Sequence, residues 1–444
     1  METSAAVLTR PSSHRPRLLR PGGSAYEEAR TVWNAMVDRR PAAIAPCRDT
    51  DEVRAAVAYA QEAGLEIGVR CGGHNIAGFA VPDGGLMIDL RPLSTVRVDP
   101  VARRATVGGG ALLGALDRAA QRHGLATTAG NVSHTGVGGL TLGGGMGWLA
   151  RKHGLTCDNV VAYTLVTAAG DVVRATAEEN PELFWGLRGG GGNFGIVTEF
   201  EFRLHPVPGQ ALSVEVSCGP EEAGEAMAGW RELAATAPRE ATFTASLAGD
   251  RVDLGFVWVG PRDRAVERLA AGLSRLVPGD PRVERFSYLE LQTLDDSVEG
   301  HSVRRYWKGH YLPGLPDEAI AALLAGRDAR SPNVSLQAYG GAIAEVADSD
   351  SAFDHRATAF EYVAAAGWTD PAEDDDRRAA TRADAARIAP FAKGAYVNVL
   401  GDEGASGVRQ AYGEAKLARL RGLKNFFDPS NVFHLNHNIA PSGR

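Results

Sequence analysis

The chain has 444 residues, with 47 Lys plus Arg against 54 Asp plus Glu, and its net charge of −7 gives no compositional support for binding a nucleic-acid backbone. Glycine is the outlier at 53 residues, yet the absence of a strict triplet and a hydrophobic share of 44 % exclude collagen-like repeats and disorder. The length suits two or three domains or one large composite fold, and 28 of the glycines fall within the 132 residues from Gly64 to Gly195, where backbone without side chains is needed.

The first 35 residues form a Pro/Arg-rich lead-in with no apolar core of signal-peptide length. No stretch approaches the ~20 apolar residues of a membrane span. Four cysteines (Cys47, Cys71, Cys157, Cys218) without a CxxC pair predict neither a disulfide framework nor a zinc knuckle, and the expectation is a cytoplasmic protein. Thr50, Asp51 and Glu52 read as a helix cap followed by first-turn acids, with Val53, Ala56, Val57 and Ala60 on one face and Gly64 as the stop. A short strand over 66–70 leads into the loop Cys71-Gly72-Gly73-His74-Asn75, and a second strand over 85–90 follows. A further β–turn–α unit runs from Arg103 through Gly108-Gly109-Gly110 to a helix over 111–123. After the densest glycine region, 130–147, strands are predicted over 160–167 and 171–174, then a helix opened by Asn180-Pro181, then the run Gly189 to Gly192 and a strand over 195–204. Beyond Pro206 glycine thins, and alternating segments such as 212–216 and 251–257 predict an antiparallel sheet with helices between. A strand over 394–400, a helix around Leu417, Leu420 and Leu423, and a tail ending at Ile439 close the chain.

Two glycine patterns invite a dinucleotide reading. Gly190, Gly192 and Gly195 have GxGxxG spacing but precede a strand instead of opening a helix, so no helix N-terminus meets a phosphate. Gly108, Gly110 and Gly114 lie between strand and helix, with one residue too many. The loop at 71–75 is different: two glycines expose consecutive backbone N–H groups, a concavity suited to pyrophosphate, and a histidine follows. His434 and His437, spaced by three and without nearby carboxylates or cysteines, make a poor metal site, and no metal is expected.

RCGGHN, GGLMIDL, TVGGGALLGALDRAAQRHGL, GNVSHTGVGGLTLGGGMGWLARKHGLTCDNV, ENPELFWGLRGGGGNFGIVTEFEFRLHPV, YVNVLGDEG and FFDPSNVFHLNHNI occur in that order. Together they resemble the berberine-bridge-enzyme-like flavoprotein oxidases of the vanillyl-alcohol-oxidase superfamily, over residues 18 to 441, and are similar to the 6-hydroxynicotine oxidase group with singly attached FAD. The resemblance implies an α+β fold with a two-part PCMH-type FAD-binding domain, 36–205 and 394–444, and a substrate domain, 206–393, whose antiparallel sheet is covered by helices. It implies that His74 bonds the flavin 8α carbon, with Arg70, Cys71, Gly72, Gly73, Asn75, Gly78, Gly130, Ser133, His134, Gly136, Gly138, Gly139, Gly143, Gly195, Ile196, Val197, Asn436 and Asn438 around the cofactor. The glycines would then admit FAD where any Cβ would intrude.

Two departures limit the transfer. The G-x-C-x-x-x-G segment of bicovalent members reads Gly130 to Gly136 with Val132 at the cysteine, so one covalent link is expected. The Y-x-N-Y segment reads Tyr396-Val397-Asn398-Val399, and valine cannot accept a proton. On a strand Tyr396 and Asn398 would face away from Val399. The candidates left for catalysis are Tyr306, His310, Tyr339 and Asn398, with Asp348 to Arg356 loosely aligned to a region that supplies a carboxylate base in plant members. The expected activity is hydride transfer from an organic C–H bond to FAD, with dioxygen as acceptor and hydrogen peroxide as product, in a monomer or homodimer. The competing readings are a nicotinamide-dependent dehydrogenase, against which the misplaced GxGxxG argues, and a flavin-stabilised binding protein without turnover, which Val399 keeps open.

Overall fold

In the computed structural model, which describes residues 15–207, 209–296 and 302–443, the glycine-rich half is built on small sheets and the rest on one large sheet. Residues 1–14 of the lead-in lie outside the described residues. The first long helix spans Thr50–Glu62, but its cap is Asp49, one residue earlier than expected. The Asp49 carboxylate accepts the Glu52 backbone N–H at 2.8 Å, satisfying a first-turn donor from outside the helix. Gly64, at φ +64°, takes the chain out of the segment.

Three parallel strands, Ala43–Pro46, Leu86–Asp89 and Ile67–Arg70, are joined in that order. The middle strand is wholly buried, as its apolar run Leu86-Met87-Ile88 requires, and the outer strand Ile67–Arg70 delivers the chain into the loop at 71–75. Beside it lies a five-stranded antiparallel sheet in the order Val96–Asp99, Arg104–Gly108, Ile196–Arg203, Val160–Val166, Val172–Ala175. Gly195 directly precedes the central strand Ile196–Arg203, so the GxGxxG run does open onto a strand.

The large sheet has seven antiparallel strands: Arg282–Ser287, Gln210–Cys218, Arg251–Trp258, Ala241–Ala248, Asn333–Ala338, Phe360–Trp368 and Arg304–Leu312. Strand alternation divides its side chains between two cores. Phe243, Phe256, Leu336 and Tyr362 pack with residues of the helices Pro220–Ala235, Asp317–Leu324 and Asp374–Ile388. Trp307, Tyr311, Tyr339 and Val363 pack instead with the glycine-rich half. Each large apolar side chain so buried stabilises the contact by roughly 1.5–3 kcal/mol.

The strand expected over 394–400 does not form. Val397–Val399 is a 3-10 turn, in which the Val399 N–H donates to Tyr396 O and the Leu400 N–H to Val397 O. Such a turn rotates successive side chains by about a third of a revolution and does not alternate them, which removes the expected opposition between Tyr396 and Val399. The helix Glu414–Phe427 follows, and the tail packs back on the glycine-rich half. Lys424, fully buried, secures that return: its Nζ donates to Asp428 at 2.6 Å and to Asn193 O and Phe433 O at 2.9 Å each. Among the described residues no helix is long and apolar enough to cross a membrane.

Candidate active site

The two halves enclose a cavity of about 400 Å³, within the ~300–1,000 Å³ common for small-molecule and cofactor sites. Its wall is assembled from the loop 71–75, the helix Val137–Leu142 with the glycines around it, the run 191–197, and the returning tail at 433–437. Trp307 from the large sheet and Tyr396 to Val399 complete it. Backbone meets backbone here: a Cβ on Gly72 would stand 2.3 Å from Gly136 N, so the His74 loop and the Gly136 turn can touch only as glycines.

That contact brings His74 beside His134. The Nε2 of His74 lies 2.7 Å from Nδ1 of His134, and its own Nδ1 lies 3.4 Å from Thr135 Oγ1. Trp33 stacks on the His74 ring at 4.8 Å with a 14° interplanar angle, while the Arg305 guanidinium lies over the Trp33 ring at 4.0 Å. Trp307 meets Trp33 edge-on at 5.2 Å. Burial, followed by the nearby His134 and Arg305, pulls the His74 pKa down to about 3, so the ring is neutral at pH 7 with one nitrogen lone pair available.

On the sheet side the wall is Tyr396, Asn398, Val399 and Trp307. The Tyr396 oxygen accepts the Gly145 backbone N–H and Asn398 Nδ2–H, each at 2.8 Å. Burial, the larger effect, raises the Tyr396 pKa and keeps it a phenol. Val399 packs against Gly309, where a Cβ would come within 2.4 Å of its Cγ2. One ring farther back, Tyr311 stacks on Tyr396, and its hydroxyl lies 3.4 Å from that of Tyr339. The Tyr339 hydroxyl donates to Glu361 Oε2 at 2.9 Å, and burial pushes the Glu361 carboxyl up to about 7.

The residues fit FAD on two independent counts. Trp33 Nε1, Asn436 Oδ1 and His437 Nε2, all on the cavity wall, are buried without a hydrogen bond among the described residues, whereas buried polar atoms ordinarily have partners. Gly139 and Gly192 line the cavity, and a Cβ on either would meet no atom of the chain within 4 Å.

Of the residues singled out from the sequence, His74, Cys71, Gly72, Gly73, Asn75, Gly136, Gly138, Gly139, Gly143, Gly195, Ile196, Val197, Asn436 and Asn398 line this cavity. Others stand behind its wall. Arg70 turns its guanidinium to Ala29 O, the bare face of Gly78 meets Val37, and Gly130 packs on Leu140 and Leu113. Ser133 bonds to Asp296 and His134 backs His74. Asn438 is outside the wall as well. Tyr306 and His310 need correction: strand alternation turns them to the opposite face from Trp307. The Tyr306 hydroxyl donates to Asp402, and His310 pairs with Ala385 O on a covering helix. Tyr339 is buried in the interface and does not reach the cavity wall. The 348–356 segment is structural: Asp348 pairs with Lys416, Asp354 accepts the Gly413 N–H, and Arg356 pairs with Asp158. Trp33, Asn193, Trp307 and His437 were absent from the sequence-derived set.

Residues 41–176 match the family described as FAD binding domain, and residues 395–440 match that described as berberine and berberine like. The (R)-6-hydroxynicotine oxidase of Paenarthrobacter nicotinovorans is 32 % identical over an alignment spanning 99 % of this chain and 100 % of that enzyme. The glucooligosaccharide oxidase of Sarocladium strictum is 33 % identical, with 73 % of this chain and 70 % of that one covered. Among solved structures, BBE-like 1 of Physcomitrella patens matches with a TM-score of 0.89 at 26 % identity, covering 97 % of each chain.

Proposed function

We propose, for a chain that belongs to the berberine-bridge-like family of FAD-linked oxidases, that FAD is held by one covalent bond to His74 and that dioxygen accepts the electrons taken from a small organic substrate. The observation that carries this reading is the placement of His74: a neutral imidazole on the cavity wall, fixed between Trp33 and His134. Val132, also on that wall, has no sulfur, which supports a single link.

FAD supplies the acceptor for a substrate hydride. The chain binds, orients and handles protons. Asn436 Oδ1 and His437 Nε2 are ready to receive the cofactor's polar groups, and the glycine turns admit its bulk. Tyr396, with its oxygen already accepting two N–H donors, has its own proton left to donate. Val399 cannot act as a base, and the Tyr339–Glu361 pair behind Tyr396 is closed off from the cavity, which leaves Tyr396 and Asn398 as the polar side chains facing a substrate on this wall. Aromatic and aliphatic walls beside few charges suit a largely uncharged substrate. The four cysteines are unpaired; a reducing compartment suits them, and we place the enzyme in the cytoplasm as a monomer or homodimer.

The test is spectroscopic. Under argon, a panel of amines, alcohols and oligosaccharides should include compounds that bleach the flavin, and air should restore the colour with release of hydrogen peroxide. A yellow protein that none of them reduces would overturn the oxidase reading.

A further inference from the structure

The loop that carries His134 is held from the other half of the molecule. The Ser133 backbone N–H donates to Asp296 Oδ1 at 2.7 Å, and the Ser133 hydroxyl donates to Asp296 Oδ2 at 2.5 Å. At the start of the same loop, Gln292 Nε2–H donates to Gly130 O at 3.1 Å. Gln292 and Asp296 follow the short helix Tyr288–Leu291, which is anchored beside the edge strand of the large sheet. Both ends of the segment 130–133 are thus set by residues outside the glycine-rich half.

The residue after Ser133 is His134, tilted 41° to His74 with ring centroids 4.7 Å apart. With Nε2 of His74 and Nδ1 of His134 at 2.7 Å, the two rings share one proton between these nitrogens. Were that proton on His134, His74 would be protonated on Nδ1, facing Thr135 Oγ1 at 3.4 Å, too long for a good hydrogen bond. The better arrangement puts the proton on His74 Nε2, donated to His134, and leaves His74 Nδ1 bare.

We propose that Asp296 is a positioning residue for flavin attachment: through Ser133 it holds His134 where it accepts the Nε2 proton of His74, so that Nδ1 forms the bond to the 8α carbon. The inference rests on His74 being the attachment point. In balance, one methyl C–H bond of FAD and one imidazole N–H bond are replaced by a C–N bond, and the two electrons and two protons leave with dioxygen as hydrogen peroxide. His134 takes the Nε2 proton as the imidazole becomes alkylated, and passes it on to solvent. Attachment thereby requires the two halves to be in register.

The experiment uses the full chain prepared flavin-free from riboflavin-starved cells and mixed with FAD in air. Covalent flavin is followed by in-gel fluorescence after denaturation, and reversible binding by fluorescence quenching before it. His134→Ala should slow attachment about a hundredfold, the usual scale of a lost general base. Asp296→Ala should slow it about tenfold or more, as misplacement of a reacting group does, with reversible FAD affinity within a few-fold of wild type. Asp296→Asn, which can still accept the Ser133 N–H, should recover most of the rate; a merely structural role would show no such rescue at equal bound flavin. If Asp296→Ala and His134→Ala attach FAD at the wild-type rate, the inference is overturned. If the wild type itself carries no acid-stable flavin, the attachment reading falls first and takes the inference with it.

Discussion

Replacing Gly139 by alanine separates the needs of the chain from those of the cofactor. Gly139 lies in the helix Val137–Leu142 and lines the cavity, and its added Cβ would meet no protein atom within 4 Å. For the flavin-free protein the change is therefore harmless, and as a helical substitution it is worth about 0.5–1 kcal/mol of added stability. For the cofactor the same methyl intrudes on a packed surface, at a cost of about 1–3 kcal/mol, or about 5- to 150-fold in affinity. Gly136→Ala provides the contrast, since its Cβ would stand 2.3 Å from Gly72 N and disturb the loop itself. The assay is FAD titration in a His74→Ala background, where binding is reversible, together with thermal unfolding of the same proteins without FAD. Loss of FAD affinity with an unchanged or raised melting temperature is the expected pattern. An alanine at 139 that binds FAD as tightly as glycine would show that the cofactor does not approach this turn.

Two further outcomes follow from buried charge. Burial raises the Glu361 carboxyl from its ordinary 4.5 to about 7, so folded and unfolded chains are both protonated below pH 4.5, and stability is lost as the pH rises towards and through 7. Glu361→Gln removes that loss: by denaturant unfolding it should gain up to about 3 kcal/mol relative to wild type at pH 8 and much less at pH 5, and an equal gain at both would contradict the assignment. Lys424→Met leaves Asp428, fully buried, without its cation, which should cost about 3–5 kcal/mol. Because Lys424 also holds Asn193 O and Phe433 O beside the cavity, reversibly bound FAD in a His74→Ala background should dissociate faster; an unchanged melting temperature would contradict the account.

The features legible in the sequence are those that a short segment carries alone. The loop 71–75 has its glycines, its strand before and its histidine within a few residues, and the structure puts all of it on the cavity wall except Arg70, whose side chain turns back to Ala29. The GxGxxG spacing could be set aside as a Rossmann site because the residues after it, Ile196 to Arg203, already had the alternation of a strand. What the sequence hid depends on encounters between distant segments. Trp33 and Trp307 are 274 positions apart, and nothing in either neighbourhood signals that Trp33 stacks on His74 and meets Trp307 edge-on. Tyr306 and His310 carry the right chemistry, but the parity of one strand turns them away from Trp307. The apolar run at 394–400 has the alternation of a strand, yet it finds no strand to pair with and turns as a 3-10 segment, so that Tyr396 and Val399 share a wall. Glu361 lies in an otherwise apolar strand, and its environment is set by Tyr339, 22 positions away.

The central claim is that His74 carries the FAD of this enzyme, and peptide mapping tests it most directly. The purified protein is precipitated with acid, digested with trypsin and analysed by mass spectrometry for flavin-bearing peptides. The account predicts a single flavin adduct whose fragments place it on His74, absent from His74→Ala. Release of all flavin into the acid supernatant, or an adduct on any other residue, would contradict it.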